Sequence, residues 1–226
     1  MHSRVFSQDL ETVFKKFKCR YKRIRKSPKG SPNPDVYDYK VQSLNKLEKL
    51  SQQGLIDIFY GDETHVSQEG NVPYGWQFPD EKVSIPVHKG LSINCLGFIS
   101  RKNEFFYKTT LDTINTDFVF EQIEIFSWKI KKPTVLVIDN APVHKNKKIN
   151  DQIPFWNNRG LYIFYLPTYS PKLNIAEIVW NQLKYYWLKP QDYQTADTLL
   201  LNVSLALADI GNNLNINFSE YKNRLN

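Results

Sequence analysis

Residues 133–139, Pro-Thr-Val-Leu-Val-Ile-Asp, are a short apolar run that ends abruptly in an acid. A strand wetted on one face alternates apolar and polar residues, whereas one that does not alternate must be covered on both. The run therefore reads as a buried strand of a sheet with helices against it. What has to be explained is the carboxylate at its end, followed at once by Asn140, Ala141, Pro142, Val143 and His144.

The neighbouring segments supply the rest of such a sheet. Residues 55–63, LIDIFYGDE, read as a strand, and residues 91–100 and 104–111 as an antiparallel hairpin joined by Arg101-Lys102-Asn103. A helix over 115–130 is capped by Asn115 or Thr116, and residues 148–160 carry some helix up to Gly160. Another strand at 161–167 precedes a helix over 170–188, with Pro171 near its first turn, and a last helix over 195–211. On the 170–188 helix, Ile175, Ile178, Val179, Leu183 and Trp187 mark the buried side, while Glu177, Asn181 and Lys184 recur on a different one. Residues 71–90 are an irregular excursion. A hairpin beside strands linked through helices implies an α/β fold, a mixed sheet flanked by helices.

Upstream, residues 3–18 read as an amphipathic helix and 27–35 as a Pro/Gly/Ser linker. A second helix runs from about Tyr37 to Gln53 and stops at Gly54. The organisation expected is 1–54 for basic helices and linker, 55–212 for the main domain and 213–226 for a tail.

At 226 residues and 41% hydrophobic, the chain can bury one sizeable core. No apolar run approaches the ~18 residues a membrane span needs, and the amino terminus lacks a secretory layout. Cys19 and Cys95 suggest no disulfide framework, so a cytoplasmic setting is expected. The net charge of +7 favours a polyanionic partner. It is concentrated in Lys15, Lys16, Lys18, Arg20, Lys22, Arg23 and Arg25, with Phe14, Phe17 and Tyr21 interleaved. That pattern suits phosphates plus apolar anchors, although a solvated basic tail is the plainer alternative.

Three acids close three elements: Asp62 after the first strand, Asp139 after the buried one, and Glu177 a turn into the helix after Pro171. Parallel strands deliver their carboxyl-end residues to one sheet edge, where ligands bind. Carboxylates gathered there are hard oxygen ligands for Mg²⁺ or Mn²⁺ and would repel one another without a cation. Two such ions, roughly 3.5–4 Å apart, would clamp the attacking and leaving oxygens of a phosphodiester. Taken singly, each acid is more ordinarily a turn residue, a cap or an exposed helical glutamate. Glu63 would point to the opposite face, away from any ion. His65 and His88 lack spaced metal-binding partners, and Trp76, Trp180 and Trp187 read as packing groups. Lys145, Lys147 and Lys148 lie beside the proposed edge, as phosphate contacts or as a solvated charge run.

The strings GDET (61–64), VIDNAPVHK (137–145) and YLPTYSPKLNIAEIVWNQLK (165–184) resemble the DDE-superfamily transposases of the mariner group, most closely the insertion sequence 630 family. The third string is the most specific, and the similarity extends over roughly residues 20–190. The resemblance implies an RNase H-like fold, with Asp62, Asp139 and Glu177 as catalytic residues holding Mg²⁺ or Mn²⁺; the last two are separated by 37 residues. It implies hydrolysis at transposon ends, then attack of the freed 3′-hydroxyl on target DNA. His144 matches the family's His and would orient a phosphate or a metal-bound water, or serve the loop itself; Asn140 would fix that loop by side-chain to backbone bonds.

The chain departs from the family in reading NIAE where Pro usually follows the Asn. It also has room for only one helix where members carry paired helix-turn-helix modules. An upstream-frame helix-turn-helix polypeptide would then recognise the DNA ends, and a homodimer is expected by analogy, in a bacterial, nucleoid-associated setting. The alternatives are an RNase H-like endonuclease or resolvase without strand transfer, or a non-catalytic DNA-binding remnant.

Overall fold

The computed structural model describes residues 30, 33–68 and 90–218, and all the elements below lie in the unit Pro32–Asn226. The expected helix over 3–18, the cations from Lys15 to Arg25, and the excursion over 71–89 with Trp76 and His88 lie outside the described residues. Among the described residues, no helix is long and apolar enough to cross a membrane.

Helix α1 spans Pro34–Gln52. It starts inside the expected linker, because Asn33 caps it by accepting hydrogen bonds from the Asp35 and Val36 N–H groups, and because Pro34 suits a first helical turn. Strand β1 follows at Asp57–Ser67, then β2 at Ser92–Ser100 and β3 at Phe105–Thr110. Helix α2, Thr116–Ser127, is capped by Asn115 as expected, and β4 is Thr134–Ile138. Helix α3 covers Lys147–Asn158, β5 Leu161–Tyr165, α4 Ala176–Gln182 and α5 Ala196–Ala208.

The sheet order is β3-β2-β1-β4-β5. The first three strands pair antiparallel, and β1, β4 and β5 pair parallel. All five residues of β4 are buried, as its unbroken apolar run requires. Alternate residues divide the core into two layers. Ile58, Tyr60, Val135 and Val137 pack with Leu44 of α1, Val179 and Trp180 of α4, and Leu199 and Val203 of α5. Phe98, Leu136 and Ile138 pack on the other side with Val119, Ile123 and Phe126 of α2 and Ile149 and Trp156 of α3.

Two expectations need correction. Asp62 does not end its strand, because β1 leaves β4 after Tyr60 but stays paired with β2 from Phe59 to Ser67. Nor is 170–188 one helix. A short 3₁₀ turn at Pro171–Leu173 gives way to an extended Asn174, then to α4, then to a single π turn over Leu183–Trp187. The break falls at Asn174 because its buried side chain bonds outside the helix, to the Gly61 carbonyl.

Candidate active site

The β1–β4 register, which sets Tyr60 beside Val137, brings Asp62 level with Asp139 when it is continued by two residues. Both positions share the parity of Tyr60 and Val137, so both belong to the sheet face on which α4 lies. Glu177 is the second residue of that helix. All three acids line one cleft of about 370 Å³, whose far wall is the loop from Leu166 to Pro171 together with Asn174.

Asn174 sets the height of α4. Its Nδ2 donates to the Gly61 carbonyl at 2.8 Å, and its Oδ1 accepts from the Ala176 N–H at 3.1 Å. One buried side chain thus ties the residue before Asp62 to the residue before Glu177. Gly97, opposite Asp62 on β2, sets the depth. A Cβ there would stand 2.8 Å from the Trp180 ring and 2.6 Å from Phe105, so only glycine lets α4 sit this close to the sheet.

The electrostatics are those of crowded carboxylates. Asp62 is pushed well above the usual carboxylate range by burial, and then by the charges of Glu177, Glu63 and Asp139. Glu177 is raised by burial and by Asp139, with Lys184 opposing. Burial lowers the Lys184 amine, against the pull of Cys95, Glu177 and Asp62.

Asp139 behaves differently. Burial would raise it, but hydrogen bonds from His144 and the Ala141 N–H outweigh that and hold it below its usual value. His144 Nδ1 lies 2.7 Å from Asp139 Oδ1, and its Nε2 lies 2.6 Å from Glu63 Oε1. Burial opposes charge on His144, but the two carboxylates prevail and push its pKa up to about 10. With both ring nitrogens engaged and the side chain only 2% exposed, His144 has none left for a phosphate or a water. Glu63 faces away from the cleft as expected, yet it is joined to the site through His144.

The remaining expectations divide. Asn140 lines the cleft, and among the described residues its buried Oδ1 has no hydrogen-bond partner, so the loop-fixing bond expected of it is not made through that atom. Lys148 Nζ is held by Asp117 Oδ1 at 2.5 Å. Lys145 is exposed, lying over the Tyr165 ring 4.9 Å from its centroid, and Lys147 is exposed as well. Trp180 is buried in the core and Trp187 packs against it. Among the described residues, no three His, Cys, Asp or Glu side chains are gathered closely enough to hold an ion. Among the described residues, the three acids share a cleft without being gathered that closely. Their chemistry still fits a hard divalent cation: three carboxylates, two of them with unfavourable charge that a cation would relieve.

The sequence reading passes over Asn174 and Gly97, and takes Glu63 only as a residue facing away from any ion. Asn174 had a signal, a polar residue inside the specific third string; Gly97 and Glu63 matter only through partners distant in the chain.

This architecture, three antiparallel strands continued by two parallel ones with helices on both faces and acids at the edge between, is RNase H-like. The chain belongs to the DDE superfamily endonuclease family, whose model matches residues 57–200 and so spans all three acids. Among solved structures, it resembles the Mos1 strand transfer complex, with TM-score 0.52 and 13% identity over 89% of this chain and 67% of that one. A pre-cleavage Mos1 transpososome gives 0.51 and 14% over 92% and 72%. A simian T-cell lymphotropic virus intasome gives 0.50 and 14% over 95% and 63%. No curated protein matches the chain.

Proposed function

We propose that this domain is the catalytic part of a transposase, cutting DNA strands at the ends of a mobile element and joining the freed 3′-hydroxyl to target DNA. The observation that carries the reading is the lining of one cleft by Asp62, Asp139 and Glu177 within the span of the family match. Those three residues would hold Mg²⁺ or Mn²⁺; the resembled structures include a mariner paired-end complex with Mn. When bound, such an ion supplies positive charge to the attacking and leaving oxygens of a phosphodiester. Asp139, kept ionised by His144, is ready to accept it, whereas Asp62 and Glu177 give up protons more readily once a cation is near.

Lys145 and Lys147, exposed beside the cleft, would receive backbone phosphates, as would the cations from Lys15 to Arg25. Removing residues 1–30 is expected to flatten the salt dependence of DNA affinity, because fewer phosphates are neutralised. A dimer bringing two DNA ends together belongs to the same reading, and sedimentation with DNA bound checks it.

The deciding experiment uses a duplex carrying the element's end, with and without a preprocessed 3′ end. Mn²⁺-dependent nicking and joined products are expected from the parent. Asp139→Asn should bind the duplex as the parent does but give neither product. Nicking that survives this change, or persists in EDTA, overturns the assignment, and nicking without joining leaves an endonuclease.

A further inference from the structure

We propose that Glu63 and His144 are positioning residues that hold Asp139 in its working orientation, an inference that rests on reading Asp139 as an ion-binding acid. Asp139 lies one residue beyond β4, and its side chain remains 50% exposed at the cleft. A short side chain so open would ordinarily be free to rotate. Here Oδ1 accepts two hydrogen bonds, from the Ala141 N–H at 3.0 Å and from His144 Nδ1 at 2.7 Å. Among the described residues, no hydrogen bond reaches Oδ2, so this oxygen remains for the cleft.

The imidazole that grips Asp139 is itself gripped. Carboxylate oxygens only accept, so His144 donates from both nitrogens, the second to Glu63. Its backbone is pinned too: the carbonyl accepts from the Tyr165 hydroxyl at 2.7 Å, and the N–H donates to the Ala141 carbonyl at 3.0 Å. Glu63 does not line the cleft. Because strand residues alternate in direction, Asp62 and Glu63 leave β1 on opposite faces, and Glu63 reaches the chemistry only through His144. Two consecutive residues of one strand therefore supply one acid of the cleft and the clamp for the next. Asp62 is thus linked to Asp139 by the β1 backbone and by two short hydrogen bonds through His144, in addition to the bonds within the loop itself.

The test compares Glu63→Leu and His144→Asn with the parent full-length chain. Three readouts are taken: the Mn²⁺ concentration at half-maximal nicking, duplex affinity in EDTA, and the ¹⁵N-histidine NMR spectrum. The parent should show two slowly exchanging ring N–H signals that His144→Asn removes, and Glu63→Leu should remove the slow exchange of one of them. Both variants are expected to raise the half-saturating Mn²⁺ concentration roughly 10–100-fold, the range seen when partners of metal-binding groups are lost. Duplex affinity in EDTA should stay unchanged. A Glu63→Leu enzyme, which has no acceptor for His144, with parental Mn²⁺ dependence overturns the clamp while leaving the proposed function standing. A loss of melting temperature with unchanged Mn²⁺ dependence also overturns it, since that is what a merely structural role gives. A parent that neither nicks nor binds Mn²⁺ sinks the proposed function and the clamp with it, even where the NMR signals are seen.

Discussion

Asn174 and Gly61, 113 residues apart in the chain, are joined by a 2.8 Å hydrogen bond from the Asn174 amide to the Gly61 carbonyl. The bond fastens the start of α4 to β1 at the residue before Asp62, so the height of Glu177 above the sheet is set by a side chain whose hydrogen bonds go to the backbone and not to the acids.

Asn174→Ala would leave the Gly61 carbonyl and the Ala176 N–H without their partner in a buried place. The expected cost is about 1–3 kcal/mol, by urea unfolding. Nicking should fall further than the small loss of folded protein explains. Asn174→Asp keeps the acceptor for Ala176 but sets a buried carboxylate against the Gly61 carbonyl in a cleft already crowded with acids, and should not recover the stability.

Gly97→Ala inserts a methyl group against Trp180 and Phe105, which lie 2.8 Å and 2.6 Å from the Cβ position. Overpacking of this kind costs about 1–3 kcal/mol. Because Trp180 lies on the same helix as Glu177, the rate of metal-dependent nicking should drop at saturating Mn²⁺, with duplex affinity unchanged. Parental rates would show that α4 can be displaced without consequence.

Asp62 carries a charge that the metal-free fold resists. Its folded pKa is raised above the unfolded value, so its contribution to stability is full below the unfolded pKa and is lost as pH rises through the folded one. The metal-free protein should therefore gain stability on mild acidification from neutral pH, and Asp62→Asn should reduce that gain. At neutral pH, Asp62→Asn should melt higher than the parent, by about 2–4 °C for each ~1 kcal/mol gained. Calorimetry in EDTA at two pH values checks both statements.

Tyr169 holds a left-handed backbone, φ 58°, at the rim of the cleft, and its side chain is 54% exposed. A bulky residue in that region is strained by about 1–3 kcal/mol. Tyr169→Gly relieves the strain and should melt no lower than the parent. If the exposed ring serves DNA, nicking and duplex affinity should both weaken, and Tyr169→Phe should restore them.

The order of elements, the buried fourth strand and the three acids were all legible in the residues taken in line. Each depends on local information: hydrophobic period, a cap, a proline, an acid closing an apolar run. The length of β1 was not legible, because Asp62 looks terminal until β2 is seen to carry the strand on to Ser67. The split at Asn174 was hidden for the same reason, its bonding partner being in another element. Tertiary structure alone decided that Glu63, read as facing away, reaches Asp139 through His144, and that Gly97 admits α4. Periodicity states which face a residue takes on its own element; which side chain waits there depends on register and packing between segments distant in the chain.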